Sequence, residues 1–184
     1  MAASSTMLPL GTKLPSFRLR DTISGRAVAS DELGGKPLVV AILCNHCPYV
    51  KHIQRGLADF GRFCAERGVG VVGISSNDPA SYPEDGPEQM ALEAQKAGYT
   101  FPYLFDDTQA VARAFHAACT PEFYLFDAAG ALAYRGQFDE ARPKNLLPVT
   151  GADVRAAVEA LLAGRAPSAE QKPSVGCSIK WKTG

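Results

Sequence analysis

Two runs of small and β-branched apolar residues, separated by a helical pattern, constrain the fold of this chain more than any other feature. The first run, PLVVAIL, spans 37–43, and the second, VGVVGIS, spans 69–75. Runs of this length and composition are typical of strands that are buried on both faces of a sheet. Between them, Ile53, Leu57 and Phe60 recur at helical spacing. Together these segments predict a βαβ unit whose parallel strands are covered by helices.

The rest of the chain continues this alternation. A short hairpin is predicted around Ser24-Gly25, and after the first buried strand the predicted order is helix, strand, helix, strand, helix, hairpin and helix. This order predicts an α/β fold with a mixed central sheet flanked by helices and an N-terminal hairpin extension. We expect a single domain over residues 1–184, with a loose start over 1–13 and an irregular tail over 165–184.

The charge balance argues against some classes of binding protein, and the cysteine count favours a role for the thiols. Nineteen basic residues balance nineteen acidic ones, so the chain offers no large field for nucleic acid or an anionic membrane. We find no secretory signal and no apolar run long enough to cross a bilayer, and we therefore expect a cytoplasmic protein. The five cysteines are an odd number, which argues against a static disulfide framework and favours catalytic or metal-binding thiols.

Two of those cysteines form the motif Cys44-Asn45-His46-Cys47-Pro48, which directly follows the first buried strand. We expect Cys47 in the first turn of the next helix, where Pro48 is tolerated because early helical N–H groups lack an intrahelical partner. The helix N-terminus and a protonated His46 would stabilise a thiolate, lowering a thiol pKa from about 8.5 into the range of roughly 3.5 to 7.5. Cys-x-x-Cys beside a βαβ pattern indicates redox chemistry, in which Cys44 attacks a disulfide and Cys47 resolves the mixed disulfide.

The motif also belongs to a longer resemblance. The stretches CNHCPYVKHI, SSNDPASYPEDGPEQM, FPYLFD, CTPEFYLFD and GCSIKWK cover most of residues 8–182. In content and order they resemble the AhpC/TSA (alkyl hydroperoxide reductase, thiol-specific antioxidant) or redoxin branch of the thioredoxin-like superfamily. More narrowly, they are similar to bacterial thiol-disulfide isomerases or thioredoxin-like proteins. The resemblance implies a thioredoxin-like fold, no prosthetic group beyond a Cys44–Cys47 disulfide, a disulfide-containing protein or small-thiol substrate, and a cellular dithiol reductant.

The resemblance further implies that Pro121 is a cis-proline facing the cysteines. Thr120 and Pro121 would then shape a groove in which an extended substrate pairs by strand addition. The chain departs from typical thioredoxins at three places: Leu38 replaces a buried acid, Leu43 replaces a tryptophan, and Asn45-His46 replaces Gly-Pro. We expect Asn45, His46 and Pro48 to tune the pair.

Two other functions remain open at this point. A thiol peroxidase would use Cys47 as its peroxidatic cysteine, but such enzymes need a nearby arginine, and none lies between Arg113 and Arg135. A Cu(I) carrier would use Cys44, Cys47 and a distant histidine, although such carriers usually have a wider cysteine spacing. We expect no metal.

The remaining candidates for functional residues are the other three cysteines and one loop. Cys64 lies on the apolar face of its helix and is expected in the core, whereas Cys119 and Cys177 are candidate additional redox thiols. The loop over 77–89 is rich in turn formers and acidic residues, which predicts a solvated turn. Because this loop leaves the carboxyl end of the second strand, we expect it to border the motif, with Asn77 and Tyr82 as the side chains of interest.

Overall fold

The computed structural model describes residues 2–183. Within these residues, ten strands and four helices occur, with short 3-10 turns at Ser30–Leu33 and Pro83–Asp85. Seven of the strands and the four helices follow the predicted order, and the three additional strands are β1, β7 and β10. The strands are β1 (Ala2–Ser4), β2 (Arg18–Asp21), β3 (Ala27–Ala29), β4 (Leu38–Leu43), β5 (Gly70–Ser75), β6 (Tyr103–Phe105), β7 (Cys119–Thr120), β8 (Glu122–Phe126), β9 (Leu132–Gly136) and β10 (Val175–Ser178). The helices are α1 (Pro48–Ala65), α2 (Pro87–Ala97), α3 (Ala110–Ala114) and α4 (Ala152–Leu162).

Seven strands form the central sheet, in the order β3-β2-β6-β5-β4-β8-β9. The pairs β4–β5 and β5–β6 are parallel, and the other pairs are antiparallel. This confirms the predicted mixed α/β fold, including the N-terminal hairpin, which is β2–β3 at one edge. No helix within residues 2–183 combines the length and the apolar character that crossing a bilayer requires.

Strand β4 lies in the middle of the sheet, and every one of its residues is buried. Its alternate side chains pack in two different apolar clusters, because successive residues of a strand point to opposite faces of the sheet. Val39 and Leu43 pack in the cluster that also holds residues of α1, α2 and α4. Val40 and Ile42 pack in the cluster on the other face, with α3. A strand covered on both faces explains the continuous apolar run in the sequence.

The two ends of the chain differ from the expectation. Strand β10 pairs antiparallel with β1 on one side and with β7 on the other, which makes a second sheet of three strands. The predictions of a loose start and an irregular tail are therefore wrong at Ala2–Ser4 and Val175–Ser178. These short strands are formed by pairing between distant segments, which no local sequence pattern records.

Candidate active site

The end of β4 and the start of α1 place the two motif cysteines. Cys44 follows the last residue of β4, and Cys47 is the N-cap of α1 with Pro48 as the first helical residue. Proline suits this position because its ring presets the helical φ and its missing N–H has no helical partner to lose. Cys44 is 1% exposed and Cys47 is 0% exposed. Both sulfurs are therefore held at a helix N-terminus and shielded from solvent.

The turn at Thr120-Pro121 lies against both cysteines. The peptide bond between these residues is cis, as the resemblance implied. Cys44 Sγ is 3.1 Å from Thr120 Oγ1, and Cys47 Sγ is 3.2 Å from Thr120 O. The fold thus brings together the motif and the predicted groove residues.

Strand β10 adds a third thiol to this arrangement. Cys177 pairs in register with Thr120, the residue that contacts both motif sulfurs, and it packs against the apolar cluster that contains Cys44 and Cys47. Gly176 passes so close to the turn that an added Cβ would lie 2.0 Å from Thr120 O. The C-terminal strand therefore already occupies the backbone edge at which we expected an extended substrate to pair.

The surroundings of Cys47 favour its thiolate. Its pKa is lowered to about 4, first because the Cys44 thiol donates a hydrogen bond to it, and further by the Cys177 thiol and the backbone N–H groups of Val50 and Cys177. Burial opposes this shift, and so does the Thr120 carbonyl, to which only a thiol can donate. The downward direction prevails because several donors and the positive end of the α1 dipole face the sulfur.

The surroundings of Cys44 favour its thiol. Its pKa is raised well above the ordinary value, first because its proton is shared with Cys47, then by burial and by the charge of Asp85. The Thr120 hydroxyl opposes the shift without reversing it. These two pKa directions favour Cys47 as the ionised sulfur and Cys44 as the protonated one, and so point to an order of attack opposite to the one the sequence predicted.

Asp85 is a residue of the candidate site that the sequence did not reveal. It ends the 3-10 turn of the loop that follows β5, and it is fully buried, although we predicted a solvated turn there. Its Oδ1 accepts the backbone N–H of Asn45 at 2.7 Å and that of His46 at 3.2 Å. Its Oδ2 lies 2.6 Å from His46 Nδ1 and accepts a hydrogen bond from Asn77 Nδ2 at 2.8 Å. One carboxylate thus holds both residues between the cysteines.

The same loop and its neighbours enclose His46 and Asn45. The His46 ring stacks on Tyr82, with ring centroids 4.3 Å apart, and Lys180 Nζ lies 5.5 Å from the centroid of the Tyr82 ring. Asn45 Oδ1 accepts the Tyr103 hydroxyl at 3.1 Å. The expectation that Asn77 and Tyr82 border the motif is met: Asn77 contacts the carboxylate and Tyr82 contacts the imidazole.

The other two cysteines have packing environments. Cys64 is fully buried, and burial raises its pKa to about 12. Cys119 is also fully buried, with its sulfur 3.9 Å from Glu122 Oε2. Burial first, and then the charge of Glu122, raise the Cys119 pKa far above the ordinary value. A thiol that resists ionisation is a poor nucleophile, so this environment favours packing for Cys119.

One group of potential metal ligands occurs among the described residues. A ligand atom from each of Cys44, His46 and Asp85 lies within 4.8 Å of the other two. The Asp85 oxygens already accept four hydrogen bonds from the motif and from Asn77. Because a metal would displace these bonds, we assign no metal to this group.

Comparison with known proteins agrees with this geometry. The model of the AhpC/TSA family matches residues 10–135, a span that includes the motif and the cis-proline turn. The chain belongs to the AhpC/TSA family. A search of curated proteins finds no match.

Solved structures extend the likeness over the whole chain of this AhpC/TSA protein. An uncharacterized conserved protein from Geobacillus kaustophilus is 49% identical, with a TM-score of 0.98 and coverage of 100% of this chain and 98% of the other. A hypothetical protein from Sinorhizobium meliloti is 45% identical, with a TM-score of 0.95 and coverage of 98% and 99%. A thiol:disulfide interchange protein of the thioredoxin family from Chlorobium tepidum is 20% identical, with a TM-score of 0.64 and coverage of 84% and 99%. At that identity the last comparison shows a shared thioredoxin-like fold.

Proposed function

We propose that this AhpC/TSA protein is a thiol-disulfide oxidoreductase whose Cys44 and Cys47 alternate between dithiol and disulfide. The observation that carries the proposal is the meeting of both sulfurs with the cis-proline turn: Thr120 lies 3.1 Å from Cys44 Sγ and 3.2 Å from Cys47 Sγ. Disulfide exchange needs a thiol of lowered pKa and a second thiol nearby. The N-capping Cys47, the protonated Cys44 and the turn at Thr120-Pro121 meet these needs.

The reaction takes place in two exchange steps. The Cys47 thiolate attacks one sulfur of a substrate disulfide, a bond from Cys47 Sγ to that sulfur forms, and the other substrate sulfur leaves as a thiolate. Cys44 then attacks Cys47 Sγ, which closes the Cys44–Cys47 disulfide and releases the second substrate thiol. A cellular dithiol returns the pair to its reduced form, so the cycle needs no prosthetic group. Substrates are proteins or small molecules that carry a disulfide.

Access to the pair requires movement of the C-terminal strand. Cys44 and Cys47 are at most 1% exposed, and Thr120 already pairs with Cys177. An extended substrate can therefore use this edge only after β10 separates from β7. Cys177, which is partly exposed and beside Cys47, would serve as an additional redox thiol at the boundary between the buried pair and solvent. All five cysteines are free thiols, which fits a protein of the reducing cytoplasm.

The test is to trap the first intermediate with a small disulfide, glutathione disulfide. The Cys44→Ser variant should accumulate a mixed disulfide on Cys47, since the residue that closes the pair is gone, and mass spectrometry would locate it. The Cys47→Ser variant should form far less, and Cys64→Ser should behave as the wild type because Cys64 lies in the core. If the Cys47→Ser variant formed a mixed disulfide on Cys44 at the wild-type rate, Cys44 rather than Cys47 would be the attacking cysteine.

A thiol peroxidase is the second candidate, and the low pKa of Cys47 favours it, because a peroxidatic cysteine reacts as a thiolate. Against it, the groups that shift the Cys47 pKa most are thiols and backbone amides, and no arginine is among them. The rate at which the fully reduced protein loses thiols to hydrogen peroxide separates the two functions. A rate far above that of a free thiol, with oxidation mapped to Cys47, would establish the peroxidase. A slow rate with fast closure by a disulfide would support the oxidoreductase.

A further inference from the structure

Strand β10 is fixed to the rest of the chain at both of its ends. Before the strand, Ser174 is buried, and its hydroxyl donates a hydrogen bond to a backbone carbonyl of β9. After the strand, Ile179 is buried in the apolar core, and the backbone N–H of Lys180 donates to Asn77 Oδ1 at 2.8 Å. Between these anchors, the four residues of β10 are partly exposed except for Gly176, which is buried. The middle of the segment therefore lies at the boundary between the core and solvent.

The pairing of β10 with β7 fixes the side on which Cys177 lies. Cys177 is directly opposite Thr120, and the next residue is opposite Cys119. Directly opposite residues of antiparallel strands share one face, with Cβ atoms about 4.5–5.5 Å apart, and their neighbours along the strands share the other face. Thr120 Oγ1 lies 3.1 Å from Cys44 Sγ, and Cys177 packs against the apolar cluster that contains both motif cysteines. Cys177 therefore faces the motif, whereas Cys119 lies on the opposite face.

Two groups of Cys177 contact the Cys47 sulfur. Its thiol and its backbone N–H both donate hydrogen bonds to Cys47 Sγ, which lies 3.2 Å from Thr120 O. Two sulfurs in hydrogen-bond contact are close enough for one to attack the other when the second is part of a disulfide. An external disulfide must bring one of its sulfurs to this same point. Cys177 thus stands where the substrate sulfur has to be.

Resting on the proposed function, we propose that β10 is a tethered substrate mimic, in which Cys177 occupies the position of the substrate sulfur and exchanges disulfides with Cys47. After an external substrate has left, the Cys177 thiol attacks Cys47 Sγ of the closed Cys44–Cys47 disulfide. A Cys47–Cys177 bond forms, the Cys44–Cys47 bond breaks, and Cys44 leaves as a thiolate that takes up the proton lost by Cys177. The numbers of thiols and disulfides are unchanged, so this step needs neither an oxidant nor a reductant.

The reactivity of Cys177 changes with the state of Cys47. In the reduced protein the Cys177 pKa is raised to about 11, first by burial and then by the hydrogen bond to Cys47 and by the Cys47 charge. Closure of the Cys44–Cys47 disulfide removes that charge, while the charge of Lys180, which lowers the Cys177 pKa, stays in place. Cys177 therefore ionises more readily once there is a disulfide for it to attack.

The same strand indicates what kind of substrate replaces it. When β10 separates, the backbone edge of β7 loses its partner, and an extended polypeptide segment can restore the pairing. Gly176 precedes the cysteine of β10, and a Cβ at this position would lie 2.0 Å from Thr120 O and 2.6 Å from Thr120 C. A segment in the same register therefore needs glycine before its cysteine. The substrate class is an extended, disulfide-bonded polypeptide segment that contains Gly-Cys.

The first experiment tests the pairing of Cys47 with Cys177. Full-length Cys44→Ser protein is oxidised with one equivalent of diamide, an azodicarboxamide that removes two electrons and two protons from a pair of thiols and leaves no group on the protein. Mass spectrometry after acid quenching locates the disulfide, which we expect between Cys47 and Cys177 of the same chain. Cys44→Ala is the second variant, in case the buried serine lowers stability. Adding Cys119→Ser, the matched control, should leave the product unchanged, whereas adding Cys177→Ser should abolish it.

The second experiment tests the substrate class. The capped peptide of residues 174–179, oxidised to its symmetric disulfide, is mixed with the reduced full-length protein, and chromatography follows the release of peptide thiol. The same peptide with Gly176→Ala is the matched comparison. We expect the alanine peptide to react roughly tenfold more slowly, because overpacking against the fixed backbone of Thr120 disfavours its docking by about that factor. Both peptides should react at one rate with dithiothreitol, which has no such edge.

The outcomes separate this inference from the proposed function. A diamide product that joins two chains, or that lacks Cys177 in both Cys44 variants, overturns the inference alone. Equal rates for the two peptides also overturn it, because the edge would then not select the segment that β10 mimics. If neither the peptide disulfides nor glutathione disulfide forms a mixed disulfide on Cys47, the proposed function and this inference fail together.

Discussion

Replacing Gly176 by alanine should open the active site. An added Cβ at this position would lie 2.0 Å from Thr120 O and 2.6 Å from Thr120 C. Both are backbone atoms, so the clash can be relieved only by moving β10 away from β7. Overpacking of this kind costs about 1–3 kcal/mol. Because separation of the two strands relieves the strain, the same cost lowers the free energy of local opening, and about 2 kcal/mol corresponds to roughly 30-fold more of the open form.

The assay is the alkylation rate of the reduced protein by iodoacetamide, with the labelled cysteines mapped by mass spectrometry. Cys44 and Cys47 are almost fully buried, so their labelling in the native protein depends on opening, and we expect Gly176→Ala to label Cys47 roughly 30-fold faster. Urea unfolding should show a loss of about 1–3 kcal/mol. Gly34→Ala is the matched control, because its nearest new contact is 3.7 Å away. Equal labelling rates in the two variants would refute the argument that β10 controls access.

Three further predictions concern the individual thiols. Because the pKa of Cys47 is lowered in the folded protein, its thiolate adds to the free energy of unfolding. This contribution is fully present above the ordinary thiol pKa of about 8.5, and it is lost as the pH falls to about 4. The difference in unfolding free energy between wild type and Cys47→Ser should therefore shrink across that window in urea unfolding, and a constant difference would contradict the ionised thiol. Cys177→Ala removes a hydrogen-bond donor to Cys47 and should raise the Cys47 pKa, measured by the ultraviolet absorbance of the thiolate; an unchanged titration would show that the two thiols do not interact. Cys119→Ala should cost about 1 kcal/mol of stability and leave disulfide exchange at the wild-type rate, because Cys119 is packed rather than ionised; slower exchange would make it a redox thiol after all.

The central part of the fold could be predicted from the sequence because it depends on the local pattern of apolar residues. The run from Leu38 to Leu43 is apolar at every position since β4 is covered on both faces, and the helical spacing after Cys47 records the buried face of α1. The cis bond before Pro121 was available only from the resemblance, because most bonds before proline are trans.

The parts that the sequence did not reveal depend on partners far along the chain. Strand β10 is four residues long, and its hydrogen bonds go to β1 and β7, so nothing in its own composition marks it as a strand. Asp85 lies in a loop of turn-forming and acidic residues, where a solvated carboxylate is the ordinary outcome. It is buried because the motif backbone, His46 and Asn77 supply its donors. Only the position of the loop, after the parallel strand beside β4, pointed toward the site.

The position of the buried carboxylate supports the proposed order of attack by the two cysteines. In typical thioredoxins the acid precedes the motif within its strand, whereas here Leu38 frees β4 to be apolar throughout and the acid arrives from the loop after β5. That loop places the Asp85 charge beside Cys44 and its hydrogen bonds on the segment between the cysteines. A negative charge at this side disfavours a second one on Cys44, and the donors that the helix N-terminus and β10 supply favour the thiolate of Cys47. The proposed roles of the two thiols thus depend first on the hydrogen bond between Cys44 and Cys47, then on the burial of Cys44, and then on the Asp85 charge that the loop brings beside it.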